Sequence, residues 1–324
     1  MENQFNHFGV CDASAAVAID DEHFIVANDE DNILQVYNAT QSKSSIDSDS
    51  ISKMLKLKKE DDEADIEGAA RIGDIIYWIG SHSRNSKGKE QSSRHQFFAT
   101  SLKTIGNSIS QLGQSYTSLL LHLKNKFPEI KEATEKKDKD NKDIGAEAEG
   151  GFNLEGFAAC PDGSVILGFR NPIPKGKAFL VKISNPSELI HDHNKEPLFS
   201  EPIRLDLGGR GVRAIAYWAA KQCYLIVGGS YNDDAVNPAE PNFALYKWDG
   251  SPSHNPENLN VKLGDLNPEA IVIYPNNKVQ LLSDDGGRPI GEGNKPCKDL
   301  LKEAKKTGTE CKECHFRSLF VDIP

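Results

Sequence analysis

The stretch EGFAACPDGSVILGFRNP, residues 155–172, decides the fold. Two short apolar segments flank Pro161-Asp162-Gly163, whose residues favour a chain reversal, so the stretch predicts a β-hairpin. The same pattern recurs along the chain, which is typical of a repeat protein. The other copies begin at Ser14 (SAAVAIDDEHFIVANDEDN), Glu67 (EGAARIGDIIYWIGSHSRN), Arg213 (RAIAYWAAKQCYLIVGGS) and Glu269 (EAIVIYPNNKVQLLSDDG).

Five copies predict an all-β, single-domain propeller with five blades over residues 1–324. The copies start 53, 88, 58 and 56 residues apart, and an apolar third strand follows each hairpin. A fourth strand precedes most copies, at residues 53–57, 203–207 and 259–263. Units of four strands arranged radially are propeller blades. A large β-sandwich would show no such regular repeat, so we favour the propeller.

The phase of the repeat places one strand out of sequence order. The third strand of the last copy lies at residues 317–323, and residues 4–8 stand where a fourth strand belongs. The N-terminal segment would therefore complete the last blade and cover its open edge. Two insertions, at about residues 103–150 and 286–315, interrupt the plan. They predict an amphipathic helix at 110–126, a solvated charged loop at 131–149 and a short helix near 299–306. The sequence does not locate a fourth strand before Glu155.

Composition limits the classes of function. A formal net charge of −10 argues against a nucleic-acid partner, because phosphate binding needs concentrated positive charge. No apolar run approaches the roughly 20 residues that a membrane span needs, and the N-terminus has no signal-peptide pattern. We therefore expect a cytoplasmic protein without a membrane partner. In that compartment we expect its six cysteines to be reduced.

Acidic residues recur at the first position of the repeat. Aligning the copies places Glu67, Glu155 and Glu269 around one mouth of the channel, and Asp285 ends a second strand at the same face. Crowded carboxylates stay ionised only beside a cation or an arginine. Oxygen-rich sites suit Ca²⁺ or Mg²⁺, so these four residues are the predicted metal ligands. Alternatively the glutamates are structural and pair with Arg213.

Basic residues at the same face predict an anion site. Arg84, Arg170 and Arg213 follow the hairpins or begin them, and guanidinium groups bind phosphate or carboxylate in a bidentate manner. His82 is the candidate general acid or base near neutral pH, although a single histidine is more often structural. Together with the metal, these residues would hold a small anionic ligand.

The C-terminal cysteines suggest two cofactors, neither of which we expect. Cys311-Lys-Glu-Cys314-His315 has the spacing of a c-type haem attachment site, but haem is attached outside the cytosol. Cys297, Cys311 and Cys314 could hold zinc, but the adjacent Cys314 and His315 are awkwardly spaced for joint ligation. We therefore predict ordinary reduced thiols.

Four longer motifs carry a resemblance. They are DIEGAARIGD from Asp65, WIGSHSRN from Trp78, NLEGFA from Asn153 and GFRNP from Gly168. The chain thereby resembles a bacterial family catalogued as domain of unknown function 3616, over nearly its whole length. The resemblance implies a propeller without an established activity. The Glu-Gly-hydrophobic-Ala repeat is more distantly similar to phytase-related propellers, which implies phosphoester chemistry.

Two functions follow from these observations. In the first, the channel mouth binds a divalent cation and a small anionic ligand, and the protein acts as a metal-dependent phosphoester hydrolase. In the second, the protein is a non-catalytic scaffold for a protein partner, and its ring of glutamates is structural. A hydrolase needs glutamates that converge within reach of a metal, whereas a scaffold needs an ion-paired channel and an exposed apolar patch.

Overall fold

Five four-stranded antiparallel sheets surround a central channel in the computed structural model, which describes residues 3–59, 62–232, 242–291 and 293–323. The predicted five-bladed propeller is confirmed. The first strand, β1 (Gln4–Phe8), belongs to the last blade. From the channel outward, the next strands are β2 (Ala15–Ala18), β3 (His23–Ala27), β4 (Ile33–Asn38) and β5 (Asp47–Ser50) in blade 1, and β6 (Ile66–Ile72), β7 (Ile75–Gly80), β8 (Phe97–Ser101) and β9 (Gln111–Tyr116) in blade 2.

The remaining blades repeat this order. Blade 3 contains β10 (Asn153–Ala159), β11 (Val165–Asn171), β12 (Ala178–Ile183) and β13 (Ile203–Leu205), and blade 4 contains β14 (Gly211–Trp218), β15 (Cys223–Gly229), β16 (Ala244–Trp248) and β17 (Glu257–Asn258). After them come β18 (Pro268–Ile273), β19 (Val279–Ser283), the short hairpin of β20 (Pro289–Ile290) and β21 (Lys295–Pro296), and β22 (His315–Val321). Blade 5 has the order β18, β19, β22 and β1.

The N-terminal strand closes the ring as the sequence predicted. Strand β1 pairs antiparallel with β22, with Gln4 opposite Leu319 and Phe8 opposite His315. The outer edge of blade 5 is thus supplied by the opposite end of the chain. This pairing covers an edge that would otherwise offer unpaired backbone groups to other chains.

Small residues let the innermost strands approach one another. Strands β2, β6, β10, β14 and β18 each pack against two neighbours around the channel. A Cβ atom added to Gly68 would lie 2.4 Å from Cβ of Phe157, and one added to Gly156 would lie 2.5 Å from Cγ1 of Val212. The glycine that follows Glu67 and Glu155 is therefore required by close packing between blades.

Four helices lie outside the sheets. They are α1 (Leu119–Lys126), α2 (Pro128–Glu135), α3 (Pro186–His191) and α4 (Cys297–Thr307), and none of the helices in the described ranges is long and apolar enough to span a membrane. The helix predicted near residues 299–306 is confirmed as α4. The helix predicted over 110–126 is wrong in its first half, because residues 111–116 form β9, the fourth strand of blade 2. Leu112 and Tyr116 are four apart, a spacing that fits one face of a helix and one face of a strand equally well.

The other outer strands differ in position from the prediction. The strand at residues 203–207 is confirmed as β13, but the fourth strands of blades 1 and 4 lie earlier than expected, at β5 and β17. The charged tract 131–149 was expected to be a solvated loop, yet it begins within α2 and then packs on blade 3. The side-chain amide of Asn171 donates hydrogen bonds of 3.0 and 2.8 Å to the carbonyl oxygens of Ala146 and Ala148.

Candidate functional site

A β-bulge redirects the first residue of the repeat in four blades. The pairing of the inner two strands shifts by one residue between Ile66 and Gly68, and equivalent shifts occur in blades 3, 4 and 5. A bulge leaves one residue outside the ladder and re-aims its side chain. In blade 1 the corresponding residue stands just before β2. We call the resulting set the inner ring: Ser14, Glu67, Glu155, Arg213 and Glu269.

Four residues of the inner ring, all except Arg213, line the buried end of a channel of about 500 Å³. The channel runs along the inner strands, and alanine side chains form much of its wall. It reaches the hairpin turns at the opposite face, where Gly73, Ala219 and Pro275 are exposed and Trp218 and Tyr274 line the opening. The charged residues predicted at an open mouth are therefore reached through a passage lined mainly by alanine, with Arg71 and the nearly buried rings of Trp218 and Tyr274 also on its wall.

Arg213 bridges two glutamates of the inner ring. Its Nε lies 2.9 Å from Oε2 of Glu155, and its second terminal nitrogen is paired with Oε1 of Glu269. Its other terminal nitrogen lies 3.3 Å from the carbonyl oxygen of Ser230, and the guanidinium stands 5.4 Å from the centre of the Phe243 ring. All three charged side chains are at most a tenth exposed. A buried ion pair of this kind is stable only while each charge keeps its partner.

Glu155 has further partners of its own. Arg170 lies 3.0 Å from Oε1 of Glu155 and 3.5 Å from Glu147, and the Asn153 amide donates a 2.8 Å hydrogen bond to Oε1. Burial raises the pKa of Glu155 to about 7, even though Arg213 and Arg170 act in the opposite direction. Arg170 and Arg213 are thus already paired with carboxylates, and Arg84, the third arginine predicted to grip an anion, lies 3.4 Å from Asp143.

Glu67 differs from the other glutamates of the inner ring. It forms no hydrogen bond or ion pair with any residue in the described ranges, and its side chain faces the channel. Burial, followed by the nearby carboxylate of Glu155, raises the pKa of Glu67 well above its usual range. At neutral pH the unpartnered carboxyl is therefore biased toward its protonated form.

A second layer of acidic residues lies beyond the inner ring. Burial raises the pKa of Asp29 and of Asp65 to about 7, and that of Asp12 and Asp284 well above the usual range. Of these, Asp65 is paired with Arg94 at 2.7 Å and accepts a hydrogen bond from Ser81. The centre of the molecule thus holds more carboxylates than guanidinium groups among the described residues, so protons or a bound cation must balance the charge.

The four predicted metal ligands do not gather around one point. Asp285 accepts hydrogen bonds of 2.8 and 2.9 Å from the backbone and Nε of Arg317 and lies 2.7 Å from its terminal nitrogen. Within the described ranges, no three of the four predicted carboxylates have oxygens within 4.8 Å of one another. Arg213 keeps two of these carboxylates apart, because Glu155 and Glu269 pair with opposite sides of its guanidinium.

His82 and Arg84 lie in a different place. They line a smaller cavity of about 80 Å³ with Glu90, His95 and other residues, none of which lines the channel. The Nδ1–H of His82 donates a 2.8 Å hydrogen bond to the carbonyl oxygen of Gly80, and its ring stacks on His95. Burial, and then His95, lower the pKa of His82 to about 3. The predicted proton carrier is therefore neutral and separated from the inner ring.

The cysteines depart from the expectation of reduced thiols. Cys11 is joined to Cys297 and Cys311 to Cys314 by disulfides, whereas Cys160 and Cys223 are free and buried. The prediction is wrong for Cys11, Cys297, Cys311 and Cys314, because closure of the ring brings Cys11 beside Cys297, and Cys311 lies only three residues from Cys314. No spacing in the sequence indicates that contact, since Cys11 and Cys297 are 286 residues apart.

Comparison with known families agrees with this architecture. The sequence profile of a family described as protein of unknown function (DUF3616) matches residues 12–112 and 143–271, which is well over half of the chain. The chain belongs to the DUF3616 family. The two matched segments of this DUF3616 protein contain the whole inner ring. No curated protein matches its sequence at a significant level.

Several solved structures are similar to this DUF3616 chain at low identity. Glutaminyl cyclase from Myxococcus xanthus is 10% identical with a TM-score of 0.43, and the alignment covers 98% of this chain and 95% of the cyclase. A glucose dehydrogenase-type oxidoreductase from Thermus thermophilus is 10% identical with a TM-score of 0.44, covering 98% and 99%. Virginiamycin B lyase from Staphylococcus aureus is 9% identical with a TM-score of 0.35, covering 88% and 68%. Likenesses at this level carry no argument about function.

Sequence reasoning missed the second acidic layer of the DUF3616 channel, although a signal for part of it was present. A polar residue precedes the inner-ring residue by two positions in four of the copies: Asp12, Asp65, Asn153 and Asn267. Two of these are the buried acids Asp12 and Asp65, and Asn153 hydrogen-bonds Glu155. The placement of Trp218 and Tyr274 at the channel opening was also missed, because nothing in the pattern indicated that the hairpin turns surround the open end.

Proposed function

We propose that the central channel binds a small ligand that carries a positive charge, and that Glu67 is the residue that receives this charge. The observation that carries the proposal is the unpartnered carboxyl of Glu67 at the buried end of the channel. Every other acidic residue of the inner ring is paired with Arg213. Glu67 is partly exposed to the channel, so a carboxyl without a partner among the described residues is accessible there to a ligand that enters.

The charge balance favours a cation over an anion. Arg170 and Arg213, the arginines that contact the inner ring, are neutralised by Glu147, Glu155 and Glu269. Arg71 also lines the channel, near the turn at Gly73, and its guanidinium donates hydrogen bonds to the carbonyl oxygens of Ala18, Ile19 and Gly73. An anion would add a further negative charge to a region in which burial and mutual repulsion already raise the pKa of several carboxyl groups. A cation would relieve that repulsion and allow Glu67 to ionise. The small anionic ligand predicted from the sequence therefore has the weaker support.

Among cations, the wall of the channel favours an organic ammonium group. Ca²⁺ and Mg²⁺ need six or more oxygen ligands, and two of the carboxylates beside Glu67, those of Glu155 and Glu269, are already held by Arg213. An amine with an apolar body would pair with Glu67 at the buried end and pack against the wall, near the aromatic rings of Trp218 and Tyr274. A divalent cation remains the second ligand class of this proposal, as predicted from the acidic ring.

The proposal is for binding, and hydrolysis is not part of it. A metal-assisted phosphoesterase would need His82 beside the metal ligands, whereas His82 and Arg84 line a separate cavity. The interaction scaffold meets one of its two conditions, because Arg213 pairs with Glu155 and Glu269 in the inner ring. The exposed large apolar side chains of the described ranges, which its second condition requires, number four: Ile46, Ile105, Leu121 and Leu198.

Thermal melts with single ligands would test the proposal. Alkyl ammonium compounds of increasing length, diamines, Ca²⁺, Mg²⁺ and inorganic phosphate would each be added to the purified protein. A ligand that binds only the folded chain raises the melting temperature. We expect a rise with an ammonium compound and a smaller rise or none with phosphate. Because cation binding ionises Glu67, calorimetry in buffers of different ionisation enthalpy should detect a released proton, and affinity should increase with pH.

Two variants give the test its specificity. Glu67→Gln keeps the shape of the side chain and should abolish the ligand-dependent shift. Glu22→Gln makes the same change at an exposed position of the β2–β3 turn and should leave the shift intact. A shift that persists in Glu67→Gln, or a response to phosphate alone, would overturn the proposal.

A further inference from the structure

Four of the six cysteines meet where the ring of blades is closed. Cys11 follows β1, Cys297 is the first residue of α4, and Cys311 and Cys314 lie just before β22. Beyond the two disulfides, the sulfur atoms of Cys11, Cys297 and Cys314 all lie within 4.8 Å of one another. The N-terminal segment and two neighbouring segments of the last blade therefore bring four sulfur atoms to one place.

The surroundings of the cluster are those of a closed site. Cys11, Cys297 and Cys314 are fully buried and contact Leu301, whereas Cys311 is partly exposed. The Cys297 backbone N–H donates a 2.9 Å hydrogen bond to the carbonyl oxygen of Arg288, which fixes the start of the eleven-residue helix α4. A thiol at the N-terminus of a helix is more readily ionised, because the helix dipole stabilises the thiolate.

We propose that in the reduced protein these four cysteines bind one zinc ion as a tetrathiolate. Tetrahedral zinc holds sulfur at about 2.3 Å, which places the ligand atoms about 3.8 Å apart. The three buried sulfur atoms already lie within 4.8 Å of one another, and Cys311 is covalently attached to one of them. The Cys-x2-Cys spacing of Cys311 and Cys314 is typical of structural zinc sites.

Histidine is not needed as a ligand. The Nδ1 atom of His315 lies 2.7 Å from the carbonyl oxygen of Glu313, and Nε2 lies 3.3 Å from the guanidinium of Arg288. Both ring nitrogens are therefore engaged outside the cluster. The awkward spacing of Cys314 and His315 does not weigh against zinc once Cys11 supplies the fourth ligand.

The two states differ by four electrons. Two equivalents of a dithiol reductant deliver four electrons and four protons to the disulfides Cys11–Cys297 and Cys311–Cys314, which gives four thiols and two oxidised dithiols. Binding of Zn²⁺ then releases the four thiol protons and leaves a site with a net charge of −2. Oxidation by a disulfide-forming reagent reverses both steps and expels the ion. The cluster is thus closed covalently under oxidising conditions and by the metal under reducing conditions.

Metal analysis of the reduced full-length protein would test this inference. After reduction, incubation with Zn²⁺ and removal of free metal, we expect one zinc ion per chain. Cobalt substitution should give the intense visible absorption of a tetrahedral thiolate site. Addition of diamide should release the zinc while two disulfides form.

Variants separate the cluster from the other thiols. Cys311→Ser removes the exposed ligand and Cys297→Ser a buried one, and both should weaken zinc retention against a chelator. Cys160→Ser and Cys223→Ser alter free, buried thiols outside the cluster and should retain zinc fully. The inference is wrong if the reduced protein binds no zinc, if both cluster variants keep it as tightly as the parent, or if the cobalt spectrum is octahedral. None of these readouts depends on a channel ligand, so this inference and the proposed function can fail independently.

Discussion

The Nε atom of Arg213 lies 2.9 Å from Oε2 of Glu155, although each side chain comes from a different blade and each is at most 3% exposed. The guanidinium also reaches Glu269 in the next blade, so one arginine joins the inner strands of three adjacent blades. Each of these charges depends on its partner, because burial of an unpaired charge costs several kcal/mol. The inner ring therefore stabilises the packing of three blades in addition to presenting charged groups to the channel.

Replacing Arg213 with Met should therefore destabilise the fold strongly. Glu155 and Glu269 would lose their counter-charge inside the protein, and we expect a loss of about 3–5 kcal/mol in the free energy of unfolding, measured by urea denaturation. Adding Glu155→Gln and Glu269→Gln to the same chain should restore much of this loss. Arg204→Met, which breaks a half-exposed ion pair with Glu129, should cost less than about 1 kcal/mol. Equal effects at Arg213 and Arg204 would contradict the account.

Glu67→Gln should stabilise the ligand-free protein at neutral pH. The pKa of Glu67 is raised in the folded state, so the folded chain binds more protons than the unfolded chain above the ordinary carboxyl range, and its stability falls as pH rises through that window. Gln cannot ionise and avoids this penalty. Each unit of pKa shift corresponds to about 1.4 kcal/mol, or roughly 2 °C in a chain of this size.

Melting curves of the parent and the variant across a pH series would measure the difference. We expect the variant to melt higher at neutral pH and the two curves to converge below about pH 4, where Glu67 is protonated in both the folded and the unfolded chain. A variant that melts lower than the parent at pH 7.5 would show that Glu67 has a stabilising partner. A residue whose removal stabilises the fold while abolishing ligand binding is typical of a functional site.

The repeats made the blades predictable, whereas the pairing of charges was not. Hairpins at Glu67, Glu155 and Glu269 are local, and their turn residues and alternating apolar positions identify them without knowledge of the fold. The partners of these glutamates are set by bulges and by the approach of neighbouring blades, which no single repeat encodes. The alignment therefore predicted that the residues share a face, but not that Arg213 would separate two of them.

The positions of the outer strands and of His82 also could not be predicted from the local sequence pattern alone. The outer strands β5, β9 and β17 carry few apolar residues, so their positions depend on pairing with the third strand more than on their own sequence. His82 is only two residues beyond β7, but the backbone takes a left-handed conformation there, with a φ of 55°. That local turn is consistent with its place in a separate cavity beside His95.

Gly156→Ala should test the close approach of the inner strands. The added Cβ would lie 2.5 Å from Val212 and 3.1 Å from Cα of Gly168, so the blades must shift apart. We expect a loss of about 1–3 kcal/mol, as is usual for overpacked cores. Gly287 has no atom within 4 Å of a built Cβ, and Gly287→Ala should be nearly neutral in the same denaturation experiment. A neutral Gly156→Ala would mean that the inner strands tolerate a wider channel.

The Cys11–Cys297 disulfide should contribute strongly to stability under oxidising conditions. It links residues 286 apart, so in the unfolded chain it closes a loop that spans nearly the whole protein. The loop-entropy relation gives a stabilisation of roughly 6 kcal/mol for a loop of this length, or about 8 °C in a chain of this size. Cys11→Ser should lower the melting temperature of the oxidised protein by an amount of this order, and Cys160→Ser should change it little.

Reduction of the parent in the presence of a chelator should lower its melting temperature to near that of Cys11→Ser. Zinc should raise the melting temperature of the reduced parent again but not that of the variant, because only the parent retains all four thiolates. An oxidised parent that melts no higher than Cys11→Ser would show that β1 and α4 hold the ring closed without the covalent link.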